Sequence, residues 1–175
     1  MKIIYCTLLL AVLITFSSSS VAQDTTHRVI GISATIQAAQ SGIMIPIWIG
    51  NHFSIAPSLT LDWGKTIGTD YAIGIVPKYY FKTNKLAPYI SARVGFASFA
   101  PAEENTTETS TTDLLAGIGF GAEYFFDKSF SFGVELQGNF SKSDHNSMRF
   151  GNPGGENFNF ATMVSANIYF MRKRK

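Results

Sequence analysis

Few residues in this chain are of a type and spacing that could do chemistry. His145-Asn146-Ser147, with Glu156 eleven residues after the histidine, supplies a base, a nucleophile and an acid. A serine nucleophile needs a base within hydrogen-bond reach and a further group to orient that base. Positions two apart on an extended chain share a face, so the spacing is compatible with hydrolysis. The competing reading is a solvated loop histidine. A second set is Lys78, Arg93, Glu123 and Glu135, four charges embedded in segments that are otherwise small, polar or apolar. His27 and His52 stand alone, and no metal-ligand spacing, phosphate loop or dinucleotide fingerprint is present. Neither a metal nor a cofactor is expected.

The elements that must position these residues read as β throughout. Between Asp113 and Ser141, Leu114, Ala116, Ile118, Phe120, Ala122, Tyr124 and Phe126 alternate with Gly117, Gly119, Gly121 and Glu123. After a turn, Phe130, Phe132, Val134, Leu136 and Phe140 alternate with Ser131, Gly133, Glu135, Gln137 and Asn139. Alternation with period two places one set on each face of a strand. Opposing Phe126 to Phe130 pairs Tyr124 with Phe132, Ala122 with Val134 and Phe120 with Leu136. It leaves Asp127-Lys128-Ser129 as an odd-length turn, which keeps like faces together.

The same pattern recurs at about 28–39, 43–49, 53–63, 71–82, 87–99 and 157–170. Pro46 makes the 43–49 strand the weakest, because proline has no N–H for the ladder. Eight strands result, one domain's worth in 175 residues. Connections at 50–52, 83–86 and 127–129 are short. Those at 64–70, 100–112 and 142–156 are read as long and polar, with 40–42 a short exception. An up-and-down meander gathers alternate connections at one end, so short turns lie at one end and long loops at the other.

The N-terminus carries a further signal. Lys2 precedes an apolar run from Ile3 to Phe16, followed by small residues through Val21-Ala22. The run falls short of the roughly 20 residues a spanning helix needs, so it is read as a cleaved signal peptide over residues 1–22. Cys6 lies inside it and is the chain's one cysteine. The formal net charge of +2 gives no nucleic-acid footprint.

Two barrels fit eight amphipathic strands. A soluble exported barrel turns the apolar face inward around a ligand, and a membrane barrel turns it outward into lipid. The membrane reading is preferred. Aromatics flank the short turns (Tyr79, Phe81, Tyr124, Phe126, Phe130, Phe132), glycines crowd the polar face, and Tyr169-Phe170 ends the last strand. The expected fold is therefore an all-β, eight-stranded antiparallel up-and-down transmembrane β-barrel over residues 23–170, with a basic periplasmic tail at 171–175. Its lumen would hold Lys78, Arg93, Glu123 and Glu135 at similar depth. Buried charges persist only when paired, so Arg93 and Lys78 are expected to neutralise Glu123 and Glu135, as a structural plug or a narrow gate.

The AEYFFDKSFSFGVELQ hairpin, the FSKSD loop entry and the terminal NFNFATMVSANIYF strand resemble the small outer-membrane barrels of the OmpA and OmpX type, and the outer membrane β-barrel proteins of Bacteroidetes-type bacteria. The resemblance implies a Gram-negative outer-membrane location; separately, no enzymatic activity is expected. The resemblance also implies outer-membrane lipid and the barrel-assembly machinery as partners, with any extracellular partner meeting loops 64–70, 100–112 and 142–156. The basic residues after Phe170 depart from the usual terminal aromatic. His145 and Ser147 are also similar in spacing to the outer-membrane lipid A deacylases, although Met148 stands where those enzymes have asparagine.

Overall fold

The structure, a computed structural model, describes residues 26–37, 40–102 and 109–173. The expected signal segment lies outside them. The elements are β1 (Thr26–Gln37), β2 (Gln40–Met44), β3 (Ile47–Ile49), β4 (Phe53–Gly64), β5 (Gly68–Tyr80), β6 (Leu86–Pro101), β7 (Thr111–Phe125), β8 (Phe130–Lys142) and β9 (Glu156–Lys173).

β2 and β3 are two halves of one strand, since both pair with β1 and with β4. The break falls at Ile45-Pro46, where the ladder loses a donor. It is bridged by the Gly31 N–H donating to Pro46 O at 2.8 Å and the Ile45 N–H donating to Pro57 O at 2.9 Å. Nine segments thus make eight barrel strands. β9 returns to pair with β1 from Thr26↔Lys173 to Gln37↔Met163, which closes the sheet into an antiparallel barrel.

The β7–β8 hairpin has the register that its alternation predicts, with Tyr124↔Phe132, Ala122↔Val134 and Phe120↔Leu136. Asp127 shapes its turn by accepting hydrogen bonds from the Ser129 and Phe130 N–H groups at 2.6 and 2.8 Å.

Three boundaries differ from the sequence reading. The segment 64–70 is not a long loop, because β4 and β5 stay paired as far as Gly64↔Gly68. Gly68 has a φ of +128°, a conformation open to glycine, and that permits the tight reversal there. Ser41 and Gly42, expected in a turn, pair with Ile36 and Thr35. At the C-terminus, β9 runs on to Lys173, so Met171 and Arg172 pair with Arg28 and His27 rather than leaving the sheet.

The two faces of the barrel are chemically opposite. Ile118, Phe120, Leu136 and Phe160 project outward and are 60–83 % exposed, whereas Ser33, Ser54, Ser131 and Glu135 are fully buried inside. One local irregularity changes this phase. A register shift between Arg28 and Ile30 leaves both Val29 and Ile30 exposed. The β-bulge turns Arg28 toward the interior, where plain alternation would have put Val29.

Replacing Asp127 with alanine removes the acceptor of both turn N–H groups. The variant should lose about 1 kcal/mol of stability, read as a lower urea midpoint in detergent micelles. An unchanged midpoint would show that the turn does not depend on this carboxylate.

Candidate functional site

The interior is built in layers from the short-turn end upward. The first is aromatic: Trp48, Tyr80, Tyr89, Phe125 and Tyr169 form a buried cluster with Ala87. Trp48 stacks on Tyr80 at 4.7 Å and meets Tyr169 edge-on at 5.9 Å. The Arg28 guanidinium, aimed inward by the bulge, lies 3.7 Å from the Phe125 ring centroid. Its Nε donates to the Lys128 carbonyl at 3.3 Å, which ties the first strand to the β7–β8 turn.

Above this floor sits Glu123, 1 % exposed. Tyr80 donates its hydroxyl to Oε2 at 2.8 Å, and Tyr169 donates to Oε1 at 2.6 Å. The Ser131 hydroxyl donates to Oε1 as well. Three hydroxyl donors thus hold the carboxylate, and Lys78 does not pair with it. The Lys78 ammonium instead lies 4.4 Å from the Tyr89 ring centroid, as a cation over a π face. The expected neutralisation by Lys78 is replaced by hydroxyl donors that reading from alternating faces had not assigned.

The third layer is the Arg93–Glu135 ion pair, 2.7 Å between Nη2 and Oε1. Gln137 Nε2 donates to the same oxygen at 2.8 Å. Glu135 reaches from β8 across β7 to meet β6, and Gly119 lies beneath it. A Cβ at Gly119 would stand 2.6 Å from Glu135 Oε1, and one at Gly117 would stand 3.0 Å from Arg93 Cδ. The bare glycines of β7 are therefore what lets both charged chains lie flat across a narrow lumen.

At the mouth, the loop 143–155 folds back over the barrel. Arg149 Nη1 contacts both carboxylate oxygens of Asp70 at 2.8 and 2.6 Å, and its Nε donates to Asp113 Oδ2 at 2.9 Å. Burial works against the Arg149 charge, and the hydrogen bonds and charges of Asp70 and then Asp113 more than offset this, raising its pKa. Asp113 is fully buried and also accepts from the Asp144 N–H at 2.8 Å. Beside this clasp lies a cavity of about 540 Å³, walled in part by Ile67, Phe99, Thr111 and Met148.

The hydrolytic set is not assembled. Ser147 is 2 % exposed and donates its hydroxyl to Asp113 Oδ2 at 2.8 Å. His145 is exposed and lies over Gly154, while Glu156 pairs with Lys142 at 3.5 Å. A serine whose proton is committed to a carboxylate bound to arginine is a structural clasp, with no base placed to activate it. No group of metal-ligating side chains occurs among the described residues. Asp70, Asp113 and Arg149 escaped the sequence reading. Their signal was available only in part: Asp113 is the first charge on the inward face of its strand, but nothing local tells which loop cation reaches it.

Removing the Glu123 carboxylate should be costly. Glu123→Ala deprives three buried hydroxyls of their acceptor, at about 1–3 kcal/mol each. Lys78→Met keeps the volume and breaks no ion pair, so it should cost clearly less. Urea unfolding of both variants in micelles checks the order; equal losses would mean that Lys78 does support the carboxylate.

No family model and no curated protein matches the chain. Solved structures do. The N-terminal β-barrel domain of Pseudomonas aeruginosa OprF superposes with a TM-score of 0.54 at 18 % identity, covering 84 % of this chain and 98 % of that one. Neisserial surface protein A superposes with a TM-score of 0.50 at 16 % identity, covering 81 % of this chain and 93 % of that one. What this chain shares with them is the fold, a closed eight-stranded antiparallel β-barrel.

Proposed function

We propose that this protein is a small barrel of the bacterial outer membrane, with a plugged lumen and a structural or surface-interaction role. The observation that carries the reading is the outward apolar belt on a closed sheet. Residues such as Ile118, Leu136 and Phe160 are 63–83 % exposed around a polar interior. In water such a belt would be an extended hydrophobic patch of the kind soluble monomers avoid. In hydrocarbon it is the favourable surface, and closure leaves no backbone edge to satisfy. A soluble barrel with an inward apolar face is disfavoured by the same observation.

The plug rests on side chains filling the lumen at successive levels: the aromatic floor, the Glu123 hydroxyl cradle, the Arg93–Glu135 pair and the Arg149 clasp. A lumen occupied in this way supports the envelope or displays loops rather than passing solutes. The loops at 100–112 and 142–156 are the surface offered to an extracellular partner. Lipid hydrolysis through His145 and Ser147 finds no support, because the serine proton is committed to Asp113.

Expressed in a Gram-negative host, the chain should fractionate with the outer membrane and migrate differently on gels before and after boiling. Recovery as a soluble periplasmic protein would contradict the reading. Phe120→Lys places a charge on the outward face near mid-strand and should cost about 2–4 kcal/mol of folding stability in vesicles. A soluble barrel would tolerate it. Planar-bilayer recordings of the wild type should show no sustained conductance, and stable open channels would remove the plug.

A further inference from the structure

The short-turn end and the loop end of the barrel carry opposite charge. Lys82 and Lys85 lie in the 81–85 turn, Lys128 in the 126–129 turn, and Arg172 near the end of β9; all four are exposed. Among the described residues the acid at this end is Asp127, which has one carboxylate oxygen engaged by two backbone N–H groups. At the opposite end, Asp62, Asp70, Asp113, Asp144 and Glu156 outnumber Lys65, Lys142 and Arg149, and two of those three cations are held in ion pairs.

The basic residues are interleaved with outward aromatics. Tyr79, Phe81, Tyr124, Phe126, Phe130 and Phe170 ring the same end and are 38–61 % exposed. Tyr79 and Phe81 meet edge-on at 5.8 Å, and Phe126 stacks on Phe130 at 5.5 Å. The Lys85 ammonium lies 5.3 Å from the Tyr124 ring centroid, which holds the cation at the level of the girdle. Arg172 follows the outward Phe170 by two residues, on the same face of β9. Aromatic rings settle at the boundary between hydrocarbon and headgroups. Cations fixed beside them are therefore placed at the depth of lipid phosphates, where basic residues attract anionic headgroups.

We propose that this end is a binding surface for anionic phospholipid, with Lys82, Lys85, Lys128 and Arg172 as the phosphate-contacting residues. The inference rests on the membrane-barrel reading and adds a lipid class to it. The charge asymmetry would also orient the barrel, with the basic end held on the anionic leaflet surface and the acidic mouth facing away.

Native mass spectrometry of the full barrel tests this, using micelles doped with equal amounts of phosphatidylglycerol and phosphatidylcholine. The wild type should retain phosphatidylglycerol over phosphatidylcholine by about fivefold or more. The combined Lys82→Gln, Lys85→Gln, Lys128→Gln and Arg172→Gln variant should fall toward parity. Lys65→Gln with Lys142→Gln, at the other end, should leave the preference intact. Equal retention in the wild type, or an unchanged ratio in the fourfold variant, overturns the proposal. So does a variant that loses co-sedimentation with peptidoglycan while keeping its lipid ratio, since the face would then serve an anionic polymer. Heat-modifiable migration of the same samples separates the two readings. A chain that shows the shift without lipid preference loses only this proposal, and one that shows neither loses the barrel as well.

Discussion

The pairing of β9 with β1 leaves no open sheet edge among the described residues, and on the proposed membrane reading hydrocarbon offers no hydrogen bond to replace a missing one. That constraint governs the rest of the molecule. It requires an even alternation on every strand, because a slip of one residue would exchange the apolar and polar faces. It also explains how a proline is accommodated within a barrel strand. At Pro46 the ladder is interrupted, but the carbonyls of Pro46 and Pro57 still accept from Gly31 and Ile45. The irregularity near the N-terminus has a separate use. The bulge between Arg28 and Ile30 spends one residue of pairing and places a guanidinium over the aromatic floor.

A barrel of this width has little room inside, so its buried carboxylates draw their donors largely from other side chains. The solutions differ by level. Glu123 is held by hydroxyls, Glu135 by a guanidinium and an amide, and Asp113 by a guanidinium, a hydroxyl and a backbone N–H. Each carboxylate takes at least one donor from another strand or from the loop 143–155. Glu123 and Glu135 therefore act as cross-braces between strands that share no backbone hydrogen bonds, β7 with β5 and β9, and β8 with β6. Glycine on β7 is the complement to this arrangement, since Arg93 and Glu135 occupy the space its side chains would fill.

Much of this was legible in the sequence, and the limits have physical causes. Alternation shows which residues share a face, so the strand set, the 127–129 turn and the β7–β8 register could be read directly. It also brings Arg93, Glu123, Glu135 and Lys78 to one side. It does not show which partner each reaches, because barrel shear sets side chains from different rows at the same depth. That is why Tyr80 and Tyr169, rather than Lys78, meet Glu123. The clasp of Asp70, Asp113 and Arg149 joins two strand ends to an irregular loop, and no periodicity describes a loop. The bulge was equally hidden, since a single extra residue leaves the pattern of apolar types at 28–32 unchanged. The His145–Ser147 spacing suggested chemistry, but spacing alone could not reveal that a carboxylate from another strand holds the serine.

The central claim is that the apolar face of the strands meets lipid while the polar face meets the lumen network. A nitroxide scan along β8 in vesicles tests it most directly, one cysteine at a time from Phe130 to Leu136. The even positions should be accessible to dissolved oxygen, which concentrates in hydrocarbon, and the odd positions should be immobile and shielded. Oxygen accessibility with the opposite phase, or with no period of two, would contradict the account.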